Sequence, residues 1–553
     1  MKKIIFILCL FASITTASPR GQSFEAGKNL DIFHSLYREL EMYYVDTLDA
    51  GKVIRRGIDA MLKGLDPYTE YLSEAETEDF KILTTGEYGG IGSMISMDKD
   101  QNIIVSEPYE GKPAALSGLK AGDIIVSIDR EAMQGKSVSD ASEKLKGKAG
   151  TKVELVIQRP GEKKPRTIIL KRELIQIDAV TYSGILNGEN GAKIGYILLN
   201  SFTSSSATEV KNAFLNLKKN YGIESLILDL RNNGGGIMEE AIQIVNLFVP
   251  KGQLVVSTKG RLKEWERSYR TTIDPVDTVM PLVVLANNYS ASASEIVAGA
   301  LQDLDRAVVL GTRTFGKGLV QSTREVAYDG NLKLTIAKYY IPSGRLIQAL
   351  DYSHRNPDGS VGRVPDSLTN VFRTANGRPV RDGGGITPDT IVEAEKMPSI
   401  LYYLVTGNIL FDFATEWVAG KESVPAPEVF ALTDDDYQAF KAFVKKRGFT
   451  YDRQSEKALQ NLKETVEFEG YLDTASVEFK ALEAKLKPDL DRDLDKFRPA
   501  ISEQLNEEIL QRFYYQKGKV RNALRNNIQV NTAIGILSNR EMYNKLLVPG
   551  GKK

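Results

Sequence analysis

Leu228-Asp229-Leu230-Arg231-Asn232-Asn233-Gly234-Gly235-Gly236 closes an apolar run that begins at residue 225 and leads into an amphipathic helical segment. A strand that ends in glycines and feeds a helix has the form of a strand-to-helix turn in an open α/β sheet, the edge where such sheets place their ligands. Three consecutive glycines let backbone N–H groups converge without side-chain obstruction, which suits an anion or oxyanion, although an ordinary turn has the same composition. Apolar runs at 194–199, 253–257, 281–286 and 307–310 repeat the strand signal, and amphipathic helical segments follow several of them. This alternation predicts an α/β core with substantial parallel pairing.

The rhythm differs on either side. Residues 27–80 show helical spacing, with Leu30, Phe33, Tyr37, Leu40 and Tyr43 at steps of three or four, and close on the turn Gly64-Leu65-Asp66-Pro67-Tyr68. Glycine then dominates Gly86-Glu87-Tyr88-Gly89-Gly90-Ile91-Gly92. Short strands follow to about Glu173, interrupted by two helices at Pro113–Ser117 and Val138–Lys146. Residues 346–390, rich in Gly, Pro, Arg and Asp, read as a long surface excursion, and beyond 398 the pattern is helical and charged.

The chain has 553 residues, enough for three or four folded units at about 150 residues each. Lys+Arg and Asp+Glu number 72 each, so no basic excess points to nucleic acid. Only two histidines occur, His34 and His354, and neither sits near a cluster of Cys, Asp or Glu at ligand spacing, which argues against zinc and against any two-histidine mechanism. No metal and no cofactor are expected. The single cysteine, Cys9, lies in an apolar stretch from Ile4 to Ala12 that follows Lys2-Lys3 and precedes small residues, the pattern of a secretory signal cleaved near Ala17 or Ser18. An exported, soluble, periplasmic protein is therefore expected.

Two further segments could carry chemistry. Gly311-Thr312-Arg313-Thr314-Phe315-Gly316-Lys317 has phosphate-loop spacing, but Gly318 stands where that loop needs Ser or Thr for magnesium, and Leu319 to Thr323 looks extended, not helical. Lys317 has a better use upstream. Ser290-Ala291-Ser292-Ala293-Ser294-Glu295 follows the run Leu282–Ala286 and opens a helix, so a serine there is exposed beside the free N–H groups of a helix N-terminus. With histidine scarce, lysine is the base at hand. Lowering a lysine from about 10.4 by roughly three units costs about 4–5 kcal/mol, which burial in an apolar pocket supplies. From spacing alone, a close-packed helix start explains the Ala/Ser run equally well.

From about residue 30 to 395 these motifs resemble the carboxy-terminal processing peptidases, or tail-specific proteases. Gly64 to Leu72, Ser290 to Glu295, Gly316-Lys317-Gly318-x-x-Gln321, Tyr339 to Gln348 and Gly385-Ile386-Thr387-Pro388-Asp389 are similar to that family's blocks. The resemblance implies Ser292 as nucleophile, Lys317 as general base and Gln321 as its orienting partner. It implies an oxyanion hole from Ala293 with Gly235 or Gly236, and Gly234 stands where many relatives have proline. Residues 86–175 resemble a PDZ domain, with Gly90, Ile91 and Gly92 as a carboxylate-binding loop, and Ile91 and Leu116 expected to line an apolar pocket. The implied architecture is multidomain α/β. It comprises a signal segment (1–18), an N-terminal helical region (19–85), a PDZ β-sandwich-like module (86–175), a crotonase/Clp-protease-like serine peptidase core (176–397) and a C-terminal helical region (398–553). The implied activity is a serine endopeptidase with a Ser/Lys dyad, acting on proteins or peptides with free apolar C-termini. A homo-oligomer or a regulatory adaptor is left open, and the competing reading is a catalytically silent PDZ peptide-binding protein.

Overall fold

The computed structural model describes residues 20–486 and 489–550; the expected signal segment, residues 1–18, lies outside them. Contacts divide the chain into two units, one formed by residues to Leu72 with Thr323–Leu334 and the other by Ser73–Ser322 with Thr335–Lys553. The first holds the helices Arg20–Tyr43 and Ala50–Lys63 and a short strand, Glu70–Leu72, paired antiparallel with Asn331–Lys333. Its turn at Gly64–Tyr68 is set by Asp66, whose Oδ1 accepts from the N–H groups of Tyr68 and Thr69, both at 2.8 Å.

The second unit is built on a sheet of six strands in sequential order: β1 (Val180–Asn187), β2 (Lys193–Leu199), β3 (Ser225–Asp229), β4 (Leu282–Ala286), β5 (Val308–Gly311) and β6 (Thr390–Ile391). β1 and β2 are antiparallel and the remaining neighbours are parallel, with Asp229 level with Leu285 and Ala286 level with Gly311. β3, β4 and β5 are buried at every residue, as parallel strands covered on both faces must be. Side-chain alternation divides them between two cores. Leu226, Leu228, Leu282, Val284 and Val309 pack with α1 (Ser206–Asn216), α2 (Met238–Asn246) and α3 (Ala293–Asp303). Ile227, Val283, Leu285, Val308 and Leu310 face the other way, onto Val530, Ala533 and Ile536 of α5 (Ile528–Ser538) and Tyr543 of α6 (Arg540–Leu546). These helices follow α4 (Arg498–Ala523) in the C-terminal region, which is helical as expected and has a core of its own around Leu404, Phe413, Phe440 and Leu505. Its last helices thus form a layer of the central fold.

The run 253–257 is a strand, as expected, but lies outside this sheet. Leu254–Gly260 pairs antiparallel with Arg267–Arg270 and with Ala337–Tyr340, because a hairpin and not a crossover helix follows it. The surface excursion expected at 346–390 holds only in part. Its hairpins, Leu350–Arg355 with Val361–Arg363 and Val371–Arg373 with Pro379–Arg381, are largely exposed, while Ile347, Gln348, Ala349 and Ile386 are buried. Polar composition misled there: a few apolar residues return to the core between turns.

The glycine-rich N-terminal module has the expected strands Ile103–Pro108, Ile124–Ile128, Lys152–Gln158 and Arg166–Lys171 and the helices Pro113–Leu116 and Val138–Leu145, around a core of Ile103, Val105, Ile125, Leu155 and Ile157. A further strand, Ser93–Met97, lies at the edge of its sheet, paired among the described residues only with Ile103–Pro108. Among the described residues no helix is long and apolar enough to cross a membrane.

Candidate active site

Three loops leave the carboxyl ends of the adjacent strands β3, β4 and β5, carrying respectively Gly234–Gly236, Ser292 and Lys317. Parallel pairing places these ends side by side, so residues remote in sequence converge there.

Ser292 ends the β4 loop immediately before α3, with φ +57° and ψ −114°. A non-glycine residue held in that region carries backbone strain of about 1–3 kcal/mol, which persists only where the surroundings impose it. They do so here. Ser292 N donates to Glu295 Oε2 at 2.9 Å, and Lys317 N donates to the same oxygen at 2.9 Å. The other oxygen, Oε1, accepts from Thr314 Oγ1 at 2.6 Å and Gly316 N at 2.7 Å. Across from this carboxylate, Tyr339 OH donates to Lys317 O at 2.7 Å and lies 3.2 Å from Ser292 O. Two buried side chains therefore pin the main chains of Ser292 and Lys317 to each other.

The Lys317 loop is fixed from behind by the other sequence blocks. Gly318 N donates to Gln348 Oε1 at 2.7 Å, Ala349 N to Gly316 O at 2.9 Å and Tyr339 N to Gly318 O at 2.9 Å. Gly316 has φ +87°, and a Cβ there would lie 2.5 Å from the Ala349 methyl. Gln321 donates through Nε2 to Thr335 Oγ1 at 3.2 Å.

On the facing loop, Asn233 is fully buried. Its Nδ2 donates to Leu199 O at 2.7 Å and its Oδ1 accepts from Gly235 N at 2.9 Å, while its carbonyl accepts from Ala291 N and from Ser294 Oγ. Gly235, at φ +99°, stands directly against the serine: a Cβ on it would come within 2.9 Å of Ser292 Cβ and 3.0 Å of Ala293 N. Gly236 is bridged to Phe202. Nothing lies within 4 Å of a Cβ on Gly234, so space does not require glycine there. Ala293 is the first residue of α3, where a helix leaves its N–H groups without intrahelical acceptors.

Asn233, Tyr339, Thr314 and Glu295 have no role in the sequence reading. Ser-x-x-Glu at a helix start is a capping-box signal that could have singled out Glu295. Burial pushes the Glu295 carboxyl up to about 7 against four hydrogen bonds that favour its ionised form. Glu295→Gln puts an NH2 group against N–H donors, and a buried polar mismatch costs about 1–3 kcal/mol. Shifting both loops is expected to lower kcat about 100-fold. The raised value also gives a stability slope: the contribution is complete below the usual carboxyl value of 4.5 and is lost as pH rises through about 7. Urea unfolding of wild type and Glu295→Gln between pH 5 and 8 checks this, and parallel curves would contradict it.

In the glycine-rich module, Gly90 ends the strand Glu87–Gly90, paired antiparallel with Glu173–Gln176, and Ile91 and Gly92 connect it to Ser93–Met97. A Cβ on Gly90 would strike the Tyr88 ring at 2.6 Å, and one on Gly92, which has φ +72°, would strike Lys112 Cβ at 2.5 Å. The two residues expected to line an apolar pocket, Ile91 and Leu116, differ in exposure. Ile91 spends its side chain in the module's core at 2% exposure, and Leu116 is 75% exposed on its short helix.

Comparison with known proteins agrees with this anatomy. Residues 193–358 match the model of peptidase family S41, residues 104–159 that of the PDZ domain, and residues 400–537 that of a probable PDZ-protease C-terminal helical domain. The chain is 36% identical over 347 residues to a carboxy-terminal-processing protease of Bartonella bacilliformis, covering 62% of this chain and 77% of the relative. It is 31% identical over 442 residues to a probable CtpA-like serine protease of Staphylococcus aureus, covering 78% and 75%. Among solved structures, the photosystem II D1 C-terminal processing protease aligns with 29% identity over 65% of this chain and 92% of that one, with a TM-score of 0.35.

Proposed function

The chain belongs to the carboxy-terminal-processing serine proteases of peptidase family S41, and from that premise we propose that it cleaves proteins near their C-termini with Ser292 as nucleophile and Lys317 as general base. The observation that carries the proposal is Glu295 Oε2, which accepts from both Ser292 N and Lys317 N and so holds the two residues side by side. Ser292 Oγ attacks the scissile carbonyl while Lys317 Nζ takes its proton and later returns it to the leaving amine. The developing oxyanion lies between Ala293 N–H, at the start of α3, and Gly236 N–H of the glycine turn, because Gly235 N–H is already given to Asn233 Oδ1. Gln321 acts as an orienting residue on the lysine side.

The PDZ domain supplies the tail-reading part of the proposal. Ser93–Met97 is an edge strand, so a substrate C-terminus can extend the sheet beside it while N–H groups of the Gly90–Gly92 segment take the terminal carboxylate. Export rests on the basic, apolar and small-residue succession of residues 2–17, and N-terminal sequencing of the protein from a periplasmic fraction tests it.

Incubation of the protein with an apolar-tailed peptide, read by mass spectrometry, tests the activity. Discrete fragments are expected, whereas peptide retained intact would favour the silent binding protein. The same peptide as its C-terminal amide, or with an added terminal Asp, is expected to show KM raised severalfold. Deletion of residues 88–172 is expected to erase that difference, and equal turnover of all three peptides would mean the module does not read the tail.

A further inference from the structure

We infer that the C-terminal helical region completes the active site: Asn527 and Gln529 act through Arg231 as positioning residues for the glycine turn that faces Ser292. The inference rests on the proposed peptidase reading and concerns how that site is held.

Arg231 starts the turn, and its guanidinium is shared between two regions of the chain. Nε and Nη2 lie against the Asp229 carboxylate, which is itself bound by Tyr196 OH at 2.6 Å. Nη1 donates to Asn527 Oδ1 at 2.9 Å and to Gln529 Oε1 at 2.8 Å. Both acceptors are fixed in turn. Asn527 caps α5 by accepting from Val530 N at 3.1 Å, and Gln529, 2% exposed, donates to Val392 O at 2.7 Å. Both amide oxygens accept from the edge of the guanidinium that Asp229 leaves free.

The turn needs such holding. Asn232 has φ +61° and Gly235 φ +99°, so the turn carries strained backbone at a non-glycine residue. One restraint comes from the serine loop, where Asn232 and Asn287 exchange two hydrogen bonds of 3.0 and 2.9 Å. The other is Arg231. Four residues later the chain reaches Gly235, in contact distance of Ser292. Because α5 and α6 also cover Ile227, Val283 and Leu285 of the central strands, Asn527 and Gln529 are delivered to the turn by a packed layer and not by a mobile tail.

The test is a cycle of kinetic measurements on the full chain with a peptide substrate. Asn527→Ser keeps a helix cap but cannot reach Arg231, and Gln529→Met keeps volume without the acceptor. The Asn527→Ser/Gln529→Met variant is expected to lose about 10- to 100-fold in kcat, with KM unchanged within about twofold. Asn527→Asp, which retains both cap and acceptor, is expected to stay near wild type. In an Arg231→Lys background the paired substitutions are expected to change kcat by less than about twofold, since their effect passes through the guanidinium. A wild-type kcat in the folded variant, multiplicative losses in the cycle, or an equal loss in Asn527→Asp would overturn the inference. If the double variant does not fold, Asn527→Ser alone carries the same cycle. Absence of Ser292-dependent cleavage in the unmodified protein would sink the peptidase reading instead, so the two failures are distinct.

Discussion

Ser292→Ala and Lys317→Ala are each expected to lower kcat by about four orders of magnitude or more, the loss typical when one member of a nucleophile–base unit is removed. The two losses are expected not to multiply: the double variant should be no slower than the worse single one, because a base without its nucleophile has no proton to take. Both variants should keep their fold. Ser292 and Lys317 are only half-buried, and the anchors from Glu295 and Tyr339 reach their main-chain atoms, which alanine retains. Single-turnover assays with the peptide substrate, beside circular dichroism, read this directly. Retention of most activity by either folded variant would remove that residue from the mechanism. His354→Ala is the matching control. Its ring is exposed on a hairpin and bonded to Asp351 at 2.7 Å, so turnover is expected to be unchanged.

What could be read in the sequence follows from how each signal is encoded. The strand Ser225–Asp229 and the helix Ala293–Asp303 announce themselves because continuous apolar runs and glycine or serine breaks are local features. Leu254–Gly260 carries the same local signal, yet its partner is Ala337–Tyr340, and nothing in a run of apolar residues says which sheet it joins. Side-chain hydrogen bonds are less legible still. Glu295 looks like an ordinary acid in the first turn of a helix until Gly316 and Lys317 are seen to bring their N–H groups to it. Arg231 looks like a surface charge before a turn, and its acceptors lie almost three hundred residues later at Asn527 and Gln529. Burial at Ile91 is equally illegible in the sequence. An apolar residue between glycines suggests a loop side chain, but the module is small and Ile91 joins its core beside Ile103, Val105 and Ile125.

Gly235→Ala is expected to abolish hydrolysis as completely as loss of the nucleophile, although it removes no functional group. Its backbone sits at φ +99°, where a side chain is strained whatever the space. Space is also lacking: the added methyl would lie 2.7 Å from Ala291 O, 2.9 Å from Ser292 Cβ and 3.0 Å from Ala293 N. Two of these neighbours are backbone atoms, held by Ala291 N donating to Asn233 O at 3.0 Å and by the start of α3, so neither yields cheaply. Relief requires separating the glycine turn from the serine loop. That moves Ala293 N–H away from the turn and leaves a nascent oxyanion with one donor where the proposed mechanism uses two, a loss of about 10²- to 10³-fold in kcat before any displacement of Ser292 is counted. The neighbouring Gly234→Ala, with nothing within 4 Å of its Cβ, is expected to stay near wild type in both activity and stability. Comparing kcat for these two one-methyl changes isolates close approach from composition. Equal activities would mean that the contact between Gly235 and Ser292 is not part of the working site.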